Sequence, residues 1–528
     1  MKNLISQFSK QWKLLPIGNL SITIRSFSMT EKVIFFFFVC IFIITGLSLL
    51  TKINARFLVE VPDYGGNITE GVLGTPRFVN PLLATSDADR DLVALIYSGL
   101  MKAHPEDGLI PDLAESFTIS PDGLTYSFIL KEDVRFHDGT KITTDDIEFT
   151  ISKAKDPILK SPRRGSWDGV NVEKVSDKEI HFVLQQPYAP FLENTTIGIL
   201  PKHVWEGADT EQFSFSQLNI EPIGSGPYKV NKVKRNSAGI PTNYTLQRFS
   251  EYALGKPFIK TINVRFYQNE DELLRAYKQK DIESARGFSA RTAHELGGSG
   301  IRIETAVLPR IFGVFFNQNQ ATIFTNPEVR KALSLSLDKE KIVSEILFGY
   351  GVAINSPIPI RDNPLSKEPQ KTEEERFKEA GDVLLKEGWE KNEDTGIWEY
   401  VGKNETLKLS FSIATGDALE IKSAGDLITE NWKRFGADVS IEVFETGNLN
   451  QNIIRPRKYD ALFFGEIVGR DLDLYPFWHS SQRNDPGLNI ALYVNSTVDS
   501  LVEKARKISD PTLQQEKLAE FEAEIIKD

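Results

Sequence analysis

One cysteine in 528 residues, Cys40, excludes an intrachain disulfide and any zinc site built on thiolates. Histidine is scarce as well. The six (His104, His137, His181, His203, His294, His479) include no pair four residues apart, the spacing that holds a metal on one helical face, which argues against a catalytic metal centre. A basic excess is also missing: the net charge is −11, and the stretch beyond residue 62 carries 55 basic against 71 acidic side chains. Such a charge opposes phosphate neutralisation, and no nucleic-acid module signature is present, so nucleic-acid partners are excluded. Catalytic signatures are absent too: no G-x-S-x-G, no H-E-x-x-H, no P-loop, and no G-x-G-x-x-G between a strand and a helix. Asp87, Asp89 and Asp91 alternate like a calcium loop, but Leu92 stands where glycine is needed and Ser98 where glutamate is needed. Acid pairs such as Asp145 with Asp146 are common by chance among so many carboxylates, so they do not indicate acid–base chemistry.

What is present is an ordinary globular composition, 41% hydrophobic and 26% charged, in a chain long enough for two to four domains. Its one exceptional segment is VIFFFFVCIFIITGLSLL at 33–50, 18 residues without a charge. As a helix it measures about 27 Å, close to the hydrocarbon thickness of a bilayer. A cleaved signal peptide would have a shorter apolar core and a small-x-small site. Ile53 occupies one of the small positions before Ala55, so the run is expected to remain as an anchor. Lys2, Lys10, Lys13, Arg25 and Lys32 outnumber Lys52 and Arg56 across it, which places residues 1–32 in the cytoplasm and everything beyond about 55 outside.

Beyond the span, apolar alternation predicts strands at 125–130, 179–184, 261–267, 405–413 and 437–444. Thr143 with Asp146 three residues on predicts a capping box and a helix through Ile147 and Ile151. Asn326 before Pro327 and Asp338 before Lys339 mark two more helix starts, the second presenting Ile342, Val343, Ile346 and Leu347 on one face. Further helices are expected at 373–387, stopped by Gly388, at 419–435 and at 498–507. The order is mixed α/β, without repeats or Pro/Gly-rich linkers.

Several stretches together resemble the extracellular solute-binding proteins of peptide-type ABC transporters, the oligopeptide- and dipeptide-binding family (solute-binding family 5). The most specific is IPDLAESFTISPDGLTYSFILKEDVRFHDGTKITTDDIEFT at 110–150. It is similar to a succession of P-x-L-A-E-S, D-G-x-x-Y-x-F, F-H-D-G and T-x-x-D-[VI]-x-F. Others are GGNITEGVLGTPRFVNPLLATSDADRDLVALIYSGL at 65–100, PYAPFL and ILPKHVW within 187–205, and IGSGPY at 223–228. VFFNQNQATIFTNPEVRKALSLSLDKEKI at 314–342 and YDALFFGEIVGRDLDLYPFWHSS at 459–481 complete the set. Lys280 departs from the glycine usual in one turn. The residues read independently as turn formers and strands: Asp138–Gly139 and Pro121–Asp122–Gly123 are turns, and His137 is expected to be a packed core histidine.

The resemblance implies a two-lobe, periplasmic-binding-protein-like α/β fold with an inserted subdomain, behind one transmembrane helix. Lobe one maps to 63–79, 169–310 and 475–528, the inserted subdomain to 80–168, and lobe two to 311–474. The crossings between lobes then fall near 310–313 and 465–473. Relatives hold a peptide as an added strand in a closing cleft, which requires no catalytic residue and no cofactor. Arg310, Phe312, Gly465, Arg470, Asp471, Asp473 and Trp478 are the implied ligand-contacting residues. Asp471 would clamp the ligand ammonium, with Asp473 in reserve. The implied partners are a peptide, ABC permease and ATPase subunits, and the membrane through 33–50, around a monomer facing outward and not acting as an enzyme. Binding of a non-peptide solute, or ligand sensing on the same fold, are the alternatives. Relatives carry on past a helix like the closing LAEFEAEIIKD with a returning segment of lobe one.

Overall fold

The uncharged run becomes the middle of a single helix, Met29–Phe57, in a computed structural model that describes residues 24–57, 61–105, 107–359, 371–403, 406–469, 472–508 and 510–528. Ser28 caps it: its backbone N–H and hydroxyl both donate to the Glu31 carboxylate, at 2.7 and 2.8 Å. The stretch Met29–Ile53 is long and apolar enough to cross a membrane, and its most apolar window has no buried residue. Cys40 lies exposed on it. Residues 1–63 and 64–528 form two separate units.

Among its described residues the second unit holds five sheets. Strands β1 (Gly65–Leu73), β2 (Met101–His104), β3 (Gly108–Pro111), β4 (Ala114–Ile119), β5 (Thr125–Leu130), β6 (Val170–Lys174) and β7 (Glu179–Leu184) come first. They are followed by β8 (Tyr228–Arg235), β9 (Pro241–Arg248), β10 (Ile259–Tyr267), β11 (Ser284–Arg286) and β12 (Arg310–Phe316). The last are β13 (Trp389–Lys391), β14 (Trp398–Val401), β15 (Thr406–Lys408), β16 (Ser410–Gly416), β17 (Asp438–Phe444) and β18 (Ala461–Ile467). One sheet runs β11-β1-β10-β9-β8, with β1 parallel to both of its neighbours. A second, antiparallel, runs β4-β5-β7-β6. The boundary expected at 168/169 therefore falls just before β6 and β7, of which β7 pairs with β5 on one side and with β6 on the other: Tyr126 and Val172 both face Phe182. Alternation identifies a strand but not its partner, and the partner of β7 lies more than fifty residues upstream.

The third sheet, β12-β18-β16-β17, is built from residues 310–467. The helix Leu419–Phe435 covers one face, and it lies close because Gly425 leaves room: a Cβ there would come within 2.7 Å of Ile441. Gly436, at φ +114°, ends the helix in the left-handed conformation that L side chains avoid. Trp432 is buried in this layer against Phe316 and Phe411, and its indole N–H donates to Leu333 O at 2.9 Å. The strand expected at 405–413 divides at the fully buried Leu409: β15 joins the small β13-β14-β15 sheet while β16 enters the large one. Helix starts follow the local signals. The Thr143–Asp146 capping box opens Thr144–Lys155, Asn326 opens Pro327–Ser336, and Asp338 opens Lys339–Ile346.

Candidate functional site

Strands β12 and β18 pair antiparallel over their full length, Arg310 opposite Ile467, Phe312 opposite Gly465, and Phe316 opposite Ala461. The ring of Phe312 lies over Gly465: a Cβ on that glycine would meet ring carbons at 2.5 and 2.8 Å, so only a residue without a side chain lets the aromatic lie flat there. The Arg310 guanidinium stands 5.2 Å from the same ring centre, within cation–π range. Among the described strands β12 has β18 as its sole neighbour, so its other edge offers unpaired backbone donors and acceptors.

That edge borders a cavity of about 940 Å³. Phe312 and Phe316 form one wall, Ile342, Val343 and Leu347 another, and Trp478 with Tyr493 a third. No residue of the helix Lys339–Ile346 is fully buried despite its apolar face: Ile342 and Val343 line the cavity, while Ile342 and Ile346 also pack against the core beside it. Trp478 is held edge-on by Tyr493 and Phe521. Charge at the wall is mainly positive. Arg330 donates to Phe324 O at 2.6 Å and Asp528 O at 2.8 Å. Lys339 donates to Ile354 O at 3.1 Å and Asn355 Oδ1 at 2.7 Å, and burial holds its ammonium below the usual range. The Asp528 carboxylate accepts from the Tyr493 hydroxyl. Arg310, like Lys339, makes no ion pair with a described residue, which leaves both wall cations without a carboxylate partner among the described residues.

Arg310, Phe312 and Trp478, each expected from sequence, thus meet at one cavity, with Gly465 beneath Phe312. Arg470 and Asp471 lie outside the described residues. Asp473 does not join the cavity and is committed elsewhere. Its carboxylate pairs with Arg506 at 3.2 Å and accepts from the Tyr188 hydroxyl at 3.2 Å and the Tyr475 backbone N–H at 3.3 Å. The Arg506 guanidinium is flanked by the rings of Tyr188 and Tyr475, at 4.7 and 4.5 Å. In this structure Asp473, expected in reserve for the ligand ammonium, clasps three segments of the chain together. Burial outweighs Arg506 and leaves its carboxyl above the usual range.

Two buried acids escaped notice in the sequence. Glu466 is 6% exposed, its Oε2 has no hydrogen-bond partner, and desolvation pushes its carboxyl up to about 8 against a weak pull from Arg457. A lone acid inside the apolar run ALFFGEIV was the available signal. Asp112, 2% exposed beside Ser98, Tyr252, Lys102 and Lys131, is pushed up to about 6, again chiefly by desolvation. His137 is the packed histidine expected: Gly224 N–H donates to its Nδ1 at 3.3 Å, its Nε2 lies 3.0 Å from Gly226 O, and burial lowers it to about 4.

Residues 108–487 match the family model of bacterial extracellular solute-binding proteins, family 5. The oligopeptide-binding protein AppA of Bacillus subtilis (strain 168) is 29% identical over 472 residues, spanning 87% of this chain and 83% of that protein. The solved structure of Bacillus subtilis AppA in complex with a nonapeptide superimposes with a TM-score of 0.64 at 27% identity, covering 88% of this chain and 92% of that one. NikZ from Campylobacter jejuni in complex with Ni(L-His) gives 0.63 at 26% identity, over 86% and 89% of the two chains.

Proposed function

The chain belongs to the bacterial extracellular solute-binding proteins of family 5, and from that premise we propose that it is the membrane-anchored substrate-binding subunit of an ABC importer that takes up peptides. The family is one of binding proteins rather than enzymes. The observation that carries the peptide reading is the similarity over most of both chains to a protein solved with a nonapeptide. The site chemistry supports it. An unpaired strand edge suits an extended backbone, an apolar cavity suits side chains, and an unpaired arginine suits a terminal carboxylate. About 940 Å³ lies within the range of small-ligand sites. Asp471, outside the described residues, is the proposed acceptor of the ligand ammonium. The uncleaved helix 29–53 keeps the domain beside its permease, and permease and ATPase subunits supply the transport energy, since the sequence carries no P-loop. Lobe two is built on the β12-β18-β16-β17 sheet and lobe one on the β1 sheet, with β6 and β7 grouped with the inserted subdomain. The working form is a monomer.

A second reading, binding of a small non-peptide solute such as a metal chelate, is favoured by the likeness to NikZ with Ni(L-His). Mass spectrometry of molecules co-purifying with the full chain, followed by thermal shift with mixed peptides of two to ten residues, separates the two. A ligand at a hundredfold excess over Kd stabilises by about 2.7 kcal/mol. No shift with any peptide, alongside a shift with a chelate, overturns the peptide reading. Calorimetry with a bound peptide then tests the anchors. Asp471→Asn is expected to weaken binding by about 30-fold or more, and Arg310→Gln by about tenfold. An unchanged Kd in both removes the two-ended clamp.

A further inference from the structure

Where the exported unit begins, Tyr64 and Phe258 stack with ring centres 4.8 Å apart, and both remain about half exposed, at 52% and 44%. The pair is held in place by the sheet: Gly65 N–H donates to Phe258 O at 2.9 Å, and Gly65 is in register with Ile259, itself an exposed apolar residue. Around the stack stand cations. The Lys256 ammonium lies 5.0 Å and the Arg248 guanidinium 5.9 Å from the Tyr64 ring centre, and Lys260 projects from β10 two residues beyond Phe258. None of the three pairs with a described carboxylate, although acids outnumber bases 71 to 55 beyond residue 62. Of the nearest acids in sequence, Glu251 faces Arg135 at 3.9 Å.

A cationic, aromatic patch on an acidic domain calls for an anionic partner with an apolar underside. We propose that this face rests on the headgroup layer of the bilayer in which the helix 29–53 is embedded, with Tyr64 and Phe258 at the interface and Lys256, Lys260 and Arg248 on lipid phosphates. Aromatic rings with a polar rim and flexible cations are the side chains that settle at that depth. The chain length permits it: seven residue steps separate Phe57 from Tyr64, at most about 25 Å. The inference rests on the anchor reading above and adds a lipid contact to it.

The test uses the full chain in lipid nanodiscs, with lysine acylation rates read by mass spectrometry. Lys256 and Lys260 are expected to react about threefold more slowly in discs containing phosphatidylglycerol than in discs of phosphatidylcholine alone, while the exposed Lys386 reacts equally in both. The Tyr64→Ser, Phe258→Ser double variant is expected to narrow the difference. Equal rates in the two discs overturn the footing and leave the anchor standing, and protection that arises only on adding permease assigns the face to a protein and likewise overturns it. Failure of the chain to enter discs overturns the anchor reading and this inference with it.

Discussion

Strand β18 and the segment that leaves it carry two buried carboxylates of opposite fate. Asp473 meets a guanidinium, a phenol and a backbone N–H, whereas Glu466, seven residues earlier, has one oxygen with no partner at all. Both are held above their usual range by desolvation. The difference teaches that burial alone does not decide what an acid does for a fold. A paired acid ties segments together, and an unpaired one stays protonated and makes the fold sensitive to pH.

Three measurements break or sharpen that contrast. The largest effect is expected from Asp473→Ala, which strands Arg506 between two tyrosines with its charge unanswered. Removing one partner of a buried pair costs about 3 kcal/mol, with Arg506 itself one quarter exposed, and a lowered denaturation midpoint reads it. An unchanged midpoint makes Asp473 energetically idle, and its equivalence to Glu466 follows.

The second concerns pH. Glu466 has a folded value of about 8 and an ordinary value of 4.5, so the folded state binds the proton more tightly than the unfolded one. Its stabilising share is complete below about pH 4.5 and is lost as pH rises to about 8, by roughly 5 kcal/mol in all. Asp112 acts in the same direction between 3.8 and about 6, which leaves the window from 6 to 8 to Glu466. Stability profiles of the parent and Glu466→Gln are expected to diverge in that window, the parent falling more steeply. Parallel profiles would show that Glu466 is ionised in the fold.

The smallest effect concerns the ladder itself. Gly465→Ala places a methyl group where the Phe312 ring lies, and because that ring is 45% exposed it swings aside at a cost of about 1 kcal/mol. The displaced ring narrows the cavity, so ligand affinity is expected to fall more than stability does. Paired calorimetry and thermal unfolding check this, and equal losses in both would make Gly465 a packing residue only.

Much of the fold was legible because its signals are local. The Thr143 capping box, Asn326 with Pro327, Asp338, and the stop at Gly388 each act within about four residues, and each helix begins or ends within a residue of where expected. Strands β5 and β7 were found as written, yet their pairing was not, and the division of 405–413 into β15 and β16 follows from two different sets of partners. At the site, Arg310, Phe312 and Trp478 line one cavity, whereas Asp473 of GRDLDLYPF, the reserve choice for the ligand ammonium under the resemblance, pairs with Arg506. Nothing in that motif announces Tyr188 or Arg506.

By itself, then, the sequence determined the membrane-length helix, the helix ends and the strand alternation, because span length, capping and period depend on neighbours along the chain. The tertiary structure alone decided which edge of β12 stays open and which acid finds a cation. Tyr188 lies 285 residues before Asp473 and Arg506 lies on another helix after it, and only folding brings such groups within hydrogen-bond distance.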